Sequence, residues 1–95
     1  MDRLTTLTVM EVIEKLYQET NEAVDLAIEL MTEWENNKNG DCARERMRRM
    51  EAAISGAEYM CERLEEVTED FTVFVRLNNK LNQVNWEGYV SQMYD

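Results

Sequence analysis

Most of the side chains in this sequence that can do chemistry are carboxylates. Twenty Asp and Glu stand against ten Lys and Arg, and histidine is absent. That removes the usual general base at neutral pH and the commonest metal-binding imidazole. The two cysteines, Cys42 and Cys61, have no histidine to complete a zinc set and are too far apart for a thioredoxin-type pair. Free, reduced thiols are expected. Cys61 falls in an apolar stripe and reads as a small core residue. Cys42, near Arg44 and Arg46 at a helix start, has the surroundings that lower a thiol pKa, but it too reads as structural.

Two carboxylates three positions apart on a helix can hold a divalent cation between them. Glu19 with Glu22 and Glu66 with Glu69 have that spacing. The stretches around them, residues 18–23 (QETNEA) and 65–70 (EEVTED), resemble the two acidic motifs of the MazG-like all-α nucleotide pyrophosphohydrolases. The resemblance implies a magnesium ion held by Glu19, Glu22, Glu66 and Glu69, activating a water for attack on a nucleotide phosphate. Taken alone, the residues read first as a solvated acidic face, because acids three apart are hard to avoid on helices this rich in carboxylate.

The basic cluster Arg44, Arg46, Arg48 and Arg49 offers guanidinium groups suited to phosphate. Glu45 and Glu51 interleave with it, and no stacking aromatic lies in the stretch, so intramolecular ion pairs are the expected use. A formal net charge of −10 opposes direct binding to nucleic acid or to an anionic membrane surface and favours a positively charged protein partner.

These groups must be positioned by helices. The chain has no proline and three glycines in 95 residues, so few breakers interrupt it, and its length is that of one domain, residues 1–95. In the first segment Met10, Ile13, Tyr17, Thr20, Val24, Ala27, Met31 and Trp34 alternate at spacings of three and four, with Val9, Leu16, Ala23 and Leu30 widening the stripe. Thr8 followed by Glu11 has capping-box spacing and sets the expected helix start, with Thr5 and Thr6 as neighbouring caps. Residues 35–41 break the pattern, with Gly40 as a left-handed C-cap and Asp41 as the next N-cap. Met47, Met50, Ile54, Ala57, Cys61, Leu64, Thr68 and Phe71 repeat the rhythm, flanked by Ala53, Met60 and Val67. From Thr72 a third helix continues through Leu77, Leu81 and Val84, wobbles over residues 85–88 and ends in an aromatic tail. The expected fold is all-α: an antiparallel helical hairpin plus a third C-terminal helix, a three-helix bundle with its last helix broken.

Two surfaces are left over. Ala52, Ser55, Gly56 and Tyr59 form a smooth strip for close helix approach, expected to pack under the third helix, with a homodimer contact as the alternative. Val12 and Leu26 share an outer column of the first helix with Glu19 and Glu33, and Ile28 lies between Asn21 and Glu35. These apolar residues either face a partner or lie beneath the third helix. The candidate protein-binding set is therefore Glu11, Val12, Glu22, Asp25, Leu26, Glu29, Glu33, Ala52, Ser55, Gly56 and Tyr59. The expected function is that of a small acidic binding protein, an inhibitor or adaptor acting by protein–protein contact, with no cofactor. The partner would be a basic nucleic-acid-binding protein or a nuclease. In size and charge the chain resembles phage-encoded inhibitors of host defence nucleases, including anti-CRISPR proteins, which implies mimicry of nucleic-acid charge. No apolar run suits a bilayer and the N-terminus lacks signal-peptide order, so a cytoplasmic protein is expected.

Overall fold

A computed structural model describes residues 2–36 and 43–86, and three helices follow one another along the chain: α1 (Asp2–Asn36), α2 (Ala43–Thr68) and α3 (Thr72–Gln83). No strand occurs among the described residues. The caps proposed at Gly40 and Asp41, the thiol of Cys42 and the aromatic tail beyond Trp86 lie outside them.

The three-four stripes meet as an antiparallel hairpin. Thr20, Val24, Ala27, Met31 and Trp34 of α1 pack with Met47, Met50, Ile54, Ala57, Cys61 and Leu64 of α2, and all of these are buried. Met31, Met50, Leu64 and Leu77 are the bulkiest fully buried apolar side chains, each contributing about 1.5–3 kcal/mol by leaving water. Thr20, fully buried, donates its hydroxyl to the Leu16 carbonyl at 2.6 Å, so its polar atom is satisfied within the helix.

α1 begins earlier than the Thr8–Glu11 spacing suggests. With no glycine or proline before residue 36 nothing stops the helix upstream, and it runs on to Asp2, leaving Thr8 and Glu11 inside it. Its 35 residues exceed the 26 of α2, so the hairpin covers the stripe only in part. Met10 and Val9 are about half exposed, Ile13 and Tyr17 half-buried, and full burial begins at Thr20.

α2 stops at Thr68, before Phe71. The Thr68 hydroxyl donates to the Leu64 carbonyl at 2.7 Å and accepts from the Asp70 amide at 3.2 Å, while Glu69 adopts the left-handed conformation at φ 59°. Asp70 then accepts from the Thr72 amide at 2.9 Å, at the first residue of α3, and from the Tyr17 hydroxyl at 2.7 Å. Phe71 thereby becomes the cap residue of α3 and stands 56 % exposed instead of closing the α2 stripe.

α3 runs parallel to α1. Its apolar anchors are Val73 and Leu77, joined by Val84 just past its end. Arg76 bonds Asn21 and Asp25 of α1, and Lys80 pairs with Glu35 at 2.9 Å. The helix ends at Gln83, with Asn85 in the left-handed region at φ 53°, which is where the sequence places the wobble.

Candidate interaction surface

α3 chooses one side of α1. Ile28 lies half-buried in the core, within the column Asn21, Ile28 and Glu35 that takes the polar contacts from Arg76 and Lys80. The column rotated away from it stays open: Val12 is 62 % and Leu26 51 % exposed, with Glu19 and Glu33 exposed beside them. Of the two readings of these apolar residues, burial under the third helix therefore holds for Ile28 and fails for Val12 and Leu26.

The acids of the candidate set divide in the same way. Glu11, Glu22, Glu29 and Glu33 are exposed, and Glu22 also accepts from the Gln18 amide at 3.3 Å. Asp25 is different, because the Arg76 guanidinium holds it against α3, so it serves the fold and is not free charge for a partner. Toward the C-terminal end of the face, Leu30, Glu33 and Trp34 of α1 and Arg46, Arg49 and Met50 of α2 line an open cleft of about 370 Å³. Charge there is mixed, and Arg49 is further paired with Glu45 at 3.2 Å. The arginine cluster thus makes at least one intramolecular pair of the expected kind.

The strip on α2 is not covered by α3. Ala52, Ser55 and Gly56 are exposed, and Tyr59, with the Arg63 guanidinium 5.9 Å from its ring centre, is 57 % exposed. A Cβ built on Gly56 meets nothing within 4 Å. The expectation of intrachain packing here fails because α3, steered by Arg76 and Lys80 toward the acids of α1, settles on the other side of the hairpin.

The four glutamates of the metal reading do not gather. Glu19 leans toward Lys15 at 4.0 Å, Glu22 is engaged by Gln18, Glu66 points to solvent and Glu69 sits in the α2–α3 link. Among the described residues no group of three or more Asp, Glu, His or Cys comes together to hold a cation, so the geometry lends the magnesium-dependent reading no support. Cys61 is a core thiol: burial first, then the carboxylates of Glu65 and Glu58, push its pKa to about 11, the opposite of what a nucleophile needs.

Sequence reasoning did not find the polar seam that seats α3. Its parts are Tyr17 with Asp70, Asn21 and Asp25 with Arg76, and Glu35 with Lys80. The available signal was that α3 contains Arg76 and Lys80 and no acid, next to a hairpin carrying nearly all the carboxylates. At Asp70, hydrogen bonds from the Thr72 hydroxyl and amide, then from Tyr17, hold the carboxyl below its ordinary range. No helix of the described residues is long and apolar enough to cross a membrane. The chain matches no protein-family model, no curated protein and no solved structure.

Proposed function

We propose that this chain is a protein-binding module, an inhibitor or adaptor, that lays the outer face of α1 against a positively charged groove on another protein. One observation carries the reading: Leu26 and Val12 stand in the open on the face that α3 leaves uncovered, amid exposed Glu11, Glu19, Glu22, Glu29 and Glu33. Apolar anchors within a charged rim are the anatomy of a binding surface. The two anchors are fourteen residues apart, about 21 Å along the helix, a span that suits an elongated groove of the kind that holds nucleic acid. The carboxylates supply attraction at a distance and the anchors supply grip.

The test compares three baits in the native host extract: wild type, Val12→Ser with Leu26→Ser, and Glu22→Gln with Glu29→Gln and Glu33→Gln. All five substitutions are at exposed positions, so circular dichroism should show the same helix content throughout. The expected result is one protein, rich in Lys and Arg, captured by wild type and lost by both variants, with capture weakening as salt is raised. Retention by both variants at low and high salt alike would remove this reading.

A further inference from the structure

A second cleft, of about 300 Å³, lies where α3 meets α2, and no residue of α1 lines it. Phe74, Leu81 and Trp86 supply its apolar surface; each is half-buried and packed against the core, so these walls are set before any ligand arrives. The polar surface is made by Asn78, Asn82 and Asn85, with Glu58 of α2 as the single charge in the lining. Among the described residues none of the three asparagines uses its side-chain amide in a hydrogen bond. α3 is costly ground for them. Asparagine is among the weaker helix formers, and at exposed positions Ala, Lys or Glu would serve the helix better. Yet α3 holds three asparagines in 12 residues, whereas α2, with 26, holds none. A local choice that weakens an element and gains no contact within the fold marks a site kept for something outside it.

We propose that this cleft binds a neutral oligosaccharide, with Asn78, Asn82 and Asn85 bonding the hydroxyls and Phe74 and Trp86 lying against the sugar rings. The lining excludes other classes. A cation finds one carboxylate, an anion finds no base, and a wholly apolar ligand would cover the amides and leave them unpaired. Each asparagine amide offers two donors and an acceptor, which suits hydroxyls that donate and accept at once. The C–H face of a pyranose is apolar and suits an aromatic ring. Along the helix axis Asn78 and Asn82 are about 6 Å apart, an interval close to one unit of a β-1,4-linked chain, and Asn85 follows just past the helix end. A peptide main chain also carries donors and acceptors, but it has no apolar face of its own to cover Phe74 and Trp86. In an open cleft water competes for every hydroxyl, so the affinity is on the order of millimolar.

The test is a nuclear magnetic resonance titration of the whole chain with chitotriose, a neutral β-1,4-linked trimer, to about 20 mM, repeated with the uncharged peptide N-acetyl-trialanine amide. Chitotriose should give saturable shifts at the side-chain amides of Asn78, Asn82 and Asn85 and at the Trp86 indole, half complete at about 1 mM, with the buried Trp34 indole unmoved. Asn78→Ala with Asn82→Ala should melt higher than wild type, as helix propensity requires, while binding chitotriose several-fold more weakly. That opposition of stability and binding is what a purely structural role would not produce. No saturable shift at these groups, a double variant that binds as wild type does or melts lower, or a peptide that moves the same signals at lower concentration than the sugar would each overturn the proposal.

Discussion

Replacing Gly56 with alanine should stabilise the protein. Gly56 lies in the interior of α2, exposed, at an ordinary negative φ, with open space for at least 4 Å around an added Cβ. No packing changes, so the effect reduces to backbone freedom lost by glycine but not by alanine, about 0.8–1 kcal/mol in a helix interior. For a domain of this size that corresponds to a rise in melting temperature of about 4–8 °C. Urea unfolding followed by circular dichroism would measure it, at about 1 and about 100 µM protein. The same increment is expected at both concentrations. A second copy docked on Ala52, Ser55, Gly56 and Tyr59 would meet the new methyl group, so the gain would shrink or reverse at the higher concentration. That outcome, or destabilisation at either concentration, would refute the view that this strip faces open solvent.

Further expectations rest on single contacts. Leu77→Ala, at the fully buried anchor of α3, should cost about 2–5 kcal/mol, and hydrogen exchange should rise first over Thr72–Gln83. Asp70→Asn should flatten the acid side of the stability profile: the carboxyl is lowered in the folded state, so its contribution is complete above its unfolded pKa and fades as pH falls through the folded value. The stability difference between wild type and variant should therefore hold steady down to about pH 5 and shrink as pH falls below the ordinary value of 3.8. In a Cys42→Ser background, Cys61 should resist thiol reagents near neutral pH until the protein unfolds, because burial and its carboxylate neighbours keep it protonated. Glu69→Gly should stabilise by about 1 kcal/mol, measured by thermal melting, since glycine takes the left-handed conformation without the Cβ clash.

The hairpin was legible in the sequence because burial there is periodic: each residue from Thr20 to Trp34 and from Met47 to Leu64 on the three-four stripe is found in the core. What local pattern cannot contain is which side α3 takes. Leu26 and Ile28 are apolar residues two positions apart on an acidic helix, yet one is open and the other covered. The choice is made by Arg76 with Asn21 and Asp25 and by Lys80 with Glu35, groups far apart in the chain. The end of α2 was equally hidden. Glu69 takes a conformation normally supplied by glycine or asparagine, and Asp70 gains its role only through Tyr17 on another helix. The candidate surface was half legible: Val12 and Leu26 stood out as apolar residues among acids, but nothing local marked Asp25 as already spoken for.

The order of the helices also shapes how the molecule comes into being. α1 and α2 are neighbours in sequence, and their pairing, the main part of the core, spans one short link, so the hairpin can zip from that link with little loop entropy to overcome. α3 adds three apolar anchors and a few polar contacts to a surface already formed. During synthesis it would arrive last, and a chain cut short at the end of α2 would still hold most of the buried stripe while exposing the side of α1 that α3 normally covers.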